Sequence, residues 1–395
     1  MARALFIGLP LHGHTNPSLR LVGELVRGGD QVSYYSTRPF KDKIEAEGAI
    51  FRPYSNHFLS DMSGLPDRME QLGWLLMRTT AEVLEHQLVT IRAEAPDYLI
   101  VDSVAPWGQW IGEILGVPVV TSISTFAVNR HVLAYSTRNG IRPKSAKVFF
   151  SKLRYIARSL RFRQEIRRLH HVRGPDLMGL ISGRSGCNIV YTSREFQPCA
   201  ETFDSSYHFV GPSIQPRSST ESFPWTNDHN GIVYVSLGTL FNSSPEFYRK
   251  CFEALASMDR KVIISMGGGS LQNIGTPPPN VTVHTFVPQL EALQRSALFI
   301  SHGGMNSVSE SLFYGVPLVV VPQMSEQALV GNRVKELGAG ICLDNDKLTA
   351  ALLGGEVRKV MGDDSYGERA QVIRQSYLAS PGIEATVDII KQYTR

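Results

Sequence analysis

Cysteine and long apolar runs are both scarce in this sequence. Its four cysteines, among 395 residues, form no CxxC pair and have no histidine neighbours at metal-ligand spacing. This pattern argues against a zinc site or a disulfide framework and suits a reducing, cytoplasmic setting. No uninterrupted apolar stretch reaches the roughly 18 residues that a membrane helix requires. The first apolar run is broken by Gly8 and Pro10, so it predicts a β-strand rather than a signal peptide.

Charge is sparse and is concentrated in one segment. Only 19% of the residues are charged and the net charge is +4, which is typical of a compact two-domain enzyme and suggests no nucleic-acid partner. Residues 138–173, however, contain twelve Lys and Arg residues and a single acid. Phe149, Leu153, Ile156 and Leu160 recur there at helical spacing, which predicts a basic amphipathic helix. Either its apolar stripe packs on the first domain and the charges are solvated, or the helix makes a weak contact with an anionic membrane.

Short β-branched runs alternate with longer amphipathic stretches, which predicts parallel α/β sheets. The predicted strands are Leu5–Leu9, Gln31–Ser36, Tyr98–Asp102, Pro118–Ile123, Asn188–Thr192, His208–Gly211, Ile232–Leu237, Lys261–Met266, Val281–Phe286, Leu298–Ser301, Leu318–Pro322 and Ile341–Leu343. The stretch Gly211–Asn230 interrupts this rhythm with three prolines and a polar run. The predicted fold class is therefore α/β, with two Rossmann-like doubly wound domains facing a central cleft. The predicted boundaries are 1–212 for the first domain, 213–230 for the linker and 231–381 for the second domain.

Helix-length segments lie between the strands and at the end of the chain. The predicted helices include Pro17–Gly28, Pro245–Met258, Gln327–Leu337, Tyr366–Leu378 and Ile383–Tyr393. The final segment, 382–395, either completes the second domain or returns to dock on the first.

The most informative run is a turn between a strand and a helix in the second half. Strand Leu298–Ser301 ends in His302-Gly303-Gly304, and a helix follows to Tyr314. A glycine pair lets the backbone approach a ligand, and the free N–H groups of the first helical turn point at an anion. Neither a P-loop nor a dinucleotide fingerprint is present. The local pattern leaves two interpretations open, a diphosphate cradle or an ordinary turn in which Ser307 and Glu310 form a capping box.

A second candidate site follows the first strand. His12 and His14 lie in a glycine-containing turn ahead of Pro17, which is a favoured first residue of a helix. Asp102 ends the predicted strand Tyr98–Asp102, at the edge where α/β sheets keep their ligands. Its alternative role is to cap the helix that follows Pro106.

Together these motifs closely resemble the nucleotide-sugar signature of the UDP-dependent glycosyltransferases of the two-Rossmann (GT-B) type, above all the bacterial macrolide and flavonoid glucosyltransferases. The residues that carry the resemblance are Gly13-His14-Thr15-Asn16-Pro17, Phe286-Val287-Pro288-Gln289, His302-Gly303-Gly304, Asn306-Ser307, Glu310, Gly315-Val316-Pro317 and Glu326-Gln327. The resemblance extends from Pro10 to the C-terminal helices.

This resemblance implies a role for each site residue. His14 is the general base, Asp102 orients it, and His12 has no chemical role. The residues expected to bind the nucleotide are Phe286, which stacks on uracil where many relatives have Trp, Val287 and Gln289 on the uridine, and Glu310 on the ribose. The residues expected around the phosphates are His302, Gly304, Asn306 and Ser307, with Gly238 and Thr239 as a second contact. Glu326 and Gln327 are expected to face the sugar hydroxyls.

The reaction that the resemblance implies is an inverting transfer of a hexose, glucose from UDP-glucose, to a hydroxyl of a small apolar acceptor such as a natural product, flavonoid, macrolide or lipid-like molecule. The UDP-sugar is a co-substrate, and no cofactor or metal is expected because no DxD-type acidic pair ends a strand. The alternatives are a UDP-sugar epimerase or hydrolase on the same fold, and a non-catalytic UDP-sugar-binding partner protein. Candidate walls of the acceptor pocket are Leu65–Met77, Trp107–Trp110 and Thr125–Phe126.

Overall fold

The chain folds into two compact units, each built on a parallel sheet. The computed structural model describes residues 1–54, 69–138, 147–214, 223, 225, 231–238, 244–267 and 274–395. Unit 1 comprises residues 1–137, 142–213 and 380–395, and unit 2 is formed chiefly by residues 214–379.

The described strands are β1 (Arg3–Ile7), β2 (Gln31–Ser36), β3 (Ile50–Pro53), β4 (Tyr98–Asp102), β5 (Val119–Ile123), β6 (Cys187–Val190), β7 (Tyr207–Phe209), β8 (Ile232–Ser236), β9 (Val262–Ser265), β10 (Val281–His284), β11 (Ser296–Ser301), β12 (Leu318–Val320) and β13 (Gly340–Cys342). The described α-helices are α1 (His12–Arg27), α2 (Lys41–Ala46), α3 (Met69–Ala93), α4 (Pro106–Leu115), α5 (Arg130–Arg138), α6 (Lys147–His170), α7 (Leu177–Ser182), α8 (Pro245–Leu255), α9 (Gln289–Gln294), α10 (Met305–Phe313), α11 (Ser325–Glu336), α12 (Ala350–Gly362), α13 (Ser365–Leu378) and α14 (Gly382–Thr394).

In unit 1 a seven-stranded parallel sheet is covered on both faces. Its strand order is β3-β2-β1-β4-β5-β6-β7. Successive side chains of a strand point to opposite faces, so Phe6 joins the core beneath α1 and α14 while Leu5 joins the core beneath α3 and α4. Burial on both faces explains why the central strands β1 and β4 are nearly continuous apolar runs rather than alternating ones.

Unit 2 repeats this plan with six parallel strands in the order β10-β9-β8-β11-β12-β13. Its largest core packs β8, β9 and β11 against α8 and α12. In both units the strand order reverses at one point, between β1 and β4 in unit 1 and between β8 and β11 in unit 2. Doubly wound sheets bind ligands outside the carboxyl ends of the strands at such a switch point.

The predicted α/β class with two doubly wound halves is confirmed, and each predicted strand overlaps an observed one. Strand β3, Ile50–Pro53, was not predicted, because it is a short edge strand that contains Arg52 and ends in proline. Helix α1 begins at His12, five residues before the predicted start at Pro17. Pro17 therefore lies inside the helix instead of opening it.

Two segments near the predicted domain boundaries pack on different units. In the predicted linker, the described residue Trp225 donates from its indole nitrogen to Glu291 at 2.8 Å and lies beneath the guanidinium of Arg295 in unit 2. Helix α14, by contrast, contacts α1 and β6 of unit 1, where Arg20 pairs with Glu384.

Helix α6 lies within the basic segment and packs against α3. Phe162 and Ile166 provide the apolar contact, and Leu160 is 47% exposed. The alternative in which the whole apolar stripe packs on the first domain therefore does not hold for Leu160, because the inward face of the helix passes through residues 162 and 166. The side chains of the other three stripe residues lie outside the described part of the chain.

Candidate functional site

At the switch point of unit 1, a histidine faces a buried carboxylate. His14 lies in the first turn of α1, just beyond β1, and Asp102 is the last residue of the neighbouring strand β4. The Nδ1 atom of His14 lies 2.9 Å from Oδ2 and 3.1 Å from Oδ1 of Asp102. The Asp102 side chain is 2% exposed and that of His14 is 12% exposed. A carboxylate at this distance requires a proton on Nδ1, which leaves the lone pair on Nε2 as the basic site.

The surroundings of Asp102 hold the carboxylate in place. Its Oδ1 accepts a hydrogen bond from the backbone N–H of Val104 at 2.8 Å. Helix α4 has Ala105 at its N-cap and no side-chain cap, so the interpretation of Asp102 as the cap of that helix is wrong. Burial raises the pKa of the hydroxyls of Tyr34 and Tyr191 above the usual range, and the Asp102 charge adds to this. These phenols therefore stay protonated beside the carboxylate.

A third group touches His14 that sequence reasoning missed. Ser124, 2% exposed and directly after β5, places its Oγ 3.0 Å from Nδ1 of His14. β5 pairs with β4, which brings the ends of the two strands side by side. A lone serine after a strand has no distinguishing sequence pattern, so nothing in the sequence indicated this contact.

The other predicted members of this region take different positions. His12 is the first residue of α1 and sets its ring edge-on to Phe40 at 4.9 Å. Trp107 and Trp110 are fully buried core residues, so the prediction that they line an acceptor pocket is wrong. They are buried because α4 presents this apolar face to the sheet. Residues 65–68 of a further predicted wall lie outside the described residues.

At the switch point of unit 2, two glycine turns meet. β8 and β11 pair with Ser236 opposite Ser301, so the turns that follow these strands are neighbours. Gly238 and Gly303 have φ angles of +76° and +87°, which side-chain-bearing residues rarely adopt. A Cβ on Gly238 would lie 2.8 Å from the imidazole of His302, so only glycine lets the first turn lie against that ring. Thr239, the other predicted residue of this turn, lies outside the described residues.

Helix α10 begins directly at the second turn. Gly304 is its N-cap and supplies no side-chain cap. The N–H groups of the first turn, which includes Asn306, are thus placed to meet an anion, and the helix dipole adds a partial positive charge there. Ser307 lies inside the helix rather than at its N-cap, so the capping-box interpretation of Ser307 and Glu310 is wrong.

His302 is held neutral within this turn. Burial lowers its pKa to about 4, and a hydrogen bond to the backbone of Ser236 opposes this only in part. Its Nδ1 is buried and has no hydrogen-bond partner among the described residues. The imidazole ring of His302 therefore has one nitrogen atom, Nδ1, that remains able to form a hydrogen bond beside the N-terminus of α10.

Gln289, Ser307 and Glu310 form a polar trio near the start of α10. The amide nitrogen of Gln289 donates to Glu310 Oε2 at 2.6 Å and to Ser307 Oγ at 3.2 Å. Glu310 is 6% exposed, so this amide helps to satisfy a buried carboxylate. In the segment that leads to Gln289, Val287 is buried, whereas Phe286 is 67% exposed.

Glu326 and Gln327, the pair expected to face the sugar hydroxyls, differ in exposure. Glu326 is exposed, whereas Gln327 is buried in the first turn of α11. The Gln327 side-chain oxygen accepts from the backbone N–H groups of Gln323 at 2.8 Å and Met324 at 3.2 Å. Gln327 thus fixes the loop between β12 and α11, a positioning role that the sequence did not indicate.

Within the described part of the chain, no group of three or more His, Cys, Asp or Glu side chains is arranged to hold a metal ion. Among the same residues, no helix combines the length and the apolar character needed to cross a bilayer.

Comparison with known proteins gives one consistent result. Residues 249–392 match the model of the erythromycin biosynthesis protein CIII-like C-terminal domain. The chain is 32% identical over 403 residues to an uncharacterized UDP-glucosyltransferase, YojK, of Bacillus subtilis strain 168, covering 99% of this chain and 97% of the relative. It is 33% identical to the NDP-glycosyltransferase YjiC of the same organism, covering 98% and 96%. The crystal structure of the glycotransferase of kitacinnamycin superimposes with a TM-score of 0.84 at 25% identity, covering 99% and 98%.

Proposed function

Because this chain belongs to the bacterial GT-B glycosyltransferases of the macrolide and flavonoid type, we propose that it is an inverting hexosyltransferase that moves glucose from UDP-glucose to a hydroxyl of a small apolar acceptor. The observation that carries this proposal is the contact between His14 and Asp102, 2.9 Å long and located at a switch point. Acceptors of this class include natural products, flavonoids, macrolides and lipid-like molecules.

His14 supplies the base that the reaction needs. An alcohol is a poor nucleophile until its proton is removed during attack, and the Nε2 lone pair of His14 accepts that proton. The acceptor oxygen then forms a bond to the anomeric carbon as the bond from that carbon to the UDP oxygen breaks, with inversion from α to β. Asp102 holds the ring and stabilises the imidazolium that forms.

The turns of unit 2 hold the leaving diphosphate in this mechanism. Backbone N–H groups at the start of α10, together with His302, Asn306 and Ser307, stabilise the charge that develops on UDP. We propose that these donors replace a divalent metal, and that Phe286 stacks on the uracil while Gln289 and Glu310 contact the uridine. The exposed ring of Phe286 and the joined polar groups of the trio support this assignment.

Glucose is the proposed sugar because Glu326 and Gln327 offer a carboxylate and an amide to hydroxyl groups. The Gln327 oxygen caps α11, so its amide nitrogen is the group left to donate toward a sugar. A relative named a UDP-glucosyltransferase supports the same donor. UDP-glucose should therefore outperform a TDP-deoxysugar, because a missing hydroxyl leaves a polar group without its partner, at a cost of about 1–3 kcal/mol.

The deciding experiment is an acceptor screen with UDP-glucose, read by mass spectrometry, on the wild type and two matched variants. His14→Ala should lower kcat by roughly 10²–10⁴ while the Kd for UDP stays within about threefold. His12→Ala, two residues earlier in the same helix, should transfer glucose at nearly the wild-type rate. Near-normal turnover of His14→Ala across several alcohols would contradict the mechanism. Release of free glucose or an epimerised donor without acceptor would instead identify a hydrolase or an epimerase.

A second proposal concerns residues 138–173, for which we propose a peripheral contact with an anionic membrane. Arg161, Arg167 and Arg168 are exposed and form no ion pair with any described residue. With the half-exposed Leu160 they fall within an arc of about 120° on α6. Each engaged arginine contributes about 1 kcal/mol near an anionic surface.

Co-sedimentation with phosphatidylserine-rich vesicles tests that contact. Binding should occur at low salt, weaken at high salt, and fall when the three arginines are replaced by glutamine. Neutral vesicles are the control, since they carry no charge to attract the helix. Protein that stays in the supernatant with anionic vesicles at low salt would establish that these charges are only solvated.

We also propose that the enzyme works in the cytoplasm. All four cysteines are free, and three of them are shielded enough that burial raises their thiol pKa. Unpaired thiols persist in a reducing compartment.

A further inference from the structure

Three oxygen atoms converge on a single nitrogen of His14. The Nδ1 atom lies 2.9 Å and 3.1 Å from the two carboxylate oxygens of Asp102 and 3.0 Å from Oγ of Ser124. Nδ1 carries at most one proton, so it has at most one N–H to donate to the three oxygen atoms around it. The Ser124 oxygen must then share that proton as an acceptor, with its own O–H directed elsewhere.

The two partners of Nδ1 contribute differently because their chemistry differs. A carboxylate only accepts, so Asp102 fixes the proton on Nδ1. A hydroxyl donates or accepts, so Ser124 is compatible with either tautomer and cannot select one. What it does fix is the place of the ring, because it approaches Nδ1 from a different strand end than Asp102 does.

We infer that Ser124 is a positioning residue of the glycosyl transfer, holding the His14 imidazole so that Nε2 faces the acceptor hydroxyl. This inference rests on the proposed role of His14 as the base. Ser124 is 2% exposed, so its hydroxyl is shielded from bulk water that could replace the contact. When Nε2 takes the acceptor proton, the Nδ1–H becomes a stronger donor, and the bonds to Asp102 and Ser124 both strengthen.

Ser122, two residues earlier in β5, provides a matched control. Ser122 is also buried, but its hydroxyl lies 3.1 Å from that of Tyr191. Removing either hydroxyl takes one oxygen atom from the carboxyl end of β5. Only the Ser124 hydroxyl contacts the base.

Turnover measurements separate positioning from simple packing. Ser124→Ala should lower kcat about 10–150-fold, the range for one lost hydrogen bond to a group that becomes charged, with KM for UDP-glucose within twofold. Ser122→Ala should stay within twofold in both constants. Threonine and valine have nearly the same shape, but only threonine keeps a hydroxyl. The Ser124→Thr variant should therefore recover kcat, and the Ser124→Val variant should not. A Ser124→Ala enzyme with wild-type kcat, or equal losses in the threonine and valine variants, overturns the inference.

A double-mutant cycle and a spectroscopic readout complete the test. Because both side chains act on one ring, Ser124→Ala and Asp102→Asn together should cost less than the product of their separate losses. By NMR with ¹³C-labelled histidine, the His14 ring should gain motion in Ser124→Ala but not in Ser122→Ala. This readout needs no turnover, so it distinguishes a failure of the inference from a failure of the proposed reaction. An equally rigid His14 ring in both variants overturns the inference.

Discussion

A methyl group added at Gly303 should damage the turn that we propose to hold the diphosphate. At φ +87°, a Cβ on this residue would lie 2.7 Å from Cγ1 of Val320 and 2.8 Å from the backbone oxygen of Gln327. Neither neighbour moves easily, because Val320 belongs to buried strand β12 and the Gln327 carbonyl belongs to the first turn of α11. The Gly303→Ala substitution therefore combines an unfavourable dihedral angle with a steric clash.

The two effects have separate magnitudes. A non-glycine residue in the left-handed region costs roughly 1–2 kcal/mol. Overpacking in a rigid site typically costs about 1–3 kcal/mol. The sum, about 2–5 kcal/mol, either lowers the stability of unit 2 or relaxes the turn and lowers nucleotide affinity. The first outcome corresponds to a fall in Tm of roughly 5–15 °C and the second to a Kd for UDP raised at least about 30-fold.

Both quantities must be measured together, by thermal unfolding and by calorimetric titration with UDP. Gly355→Ala is the matched control, since a Cβ there meets nothing within 4 Å and the residue lies exposed in helix α12 of the same unit. Its Tm should stay level or rise slightly, because alanine favours a helix by about 1 kcal/mol over glycine. If Gly303→Ala kept its Tm within about 2 °C and its UDP affinity within threefold, the geometry argued for this turn would be wrong.

Three further outcomes are expected. Asp102→Asn should lower kcat by about 10²–10⁴ with UDP binding intact, because an amide can donate to Nδ1 of His14 and so favour the wrong tautomer; turnover kinetics and UDP titration check this. Activity should survive excess EDTA, and loss that Mg²⁺ or Mn²⁺ restores would contradict a metal-independent mechanism. His302 has a folded pKa of about 4 against 6.5 in the unfolded chain, so the unfolded chain binds more protons between these values. Stability should therefore fall as pH drops from 6.5 toward 4, by roughly 2–3 kcal/mol from this partly exposed residue. Urea unfolding at pH 7 and pH 4.5 should show a smaller loss in His302→Gln, and an equal loss in both proteins would refute the assignment.

The sequence predicted most strands and the two switch-point sites because both depend on local patterns. Apolar runs indicate strands that are buried on two faces. His14 follows one strand and Asp102 ends another, and those positions alone predict that the two residues lie close together. Edge strand β3 was missed because its residues are only partly buried and need little apolar character. Ser124 and the capping role of Gln327 were missed for a different reason. Each depends on where a second element lies in space, and no residue spacing encodes that.

The place of α14 in the core of unit 1 has a consequence for biosynthesis. Ile383, Val387 and Ile390 fill the same core as Leu21 and Leu25 of α1, the helix that carries His14. The ribosome must make all of residues 214–379 before this helix emerges, which takes roughly 10–30 s at about 5–20 residues per second. Until α14 is made, the side of α1 that packs against it lacks that cover. Substitutions that remove apolar side chains from α14 should therefore loosen the helix that carries His14, the proposed base, although the two helices lie far apart in the sequence.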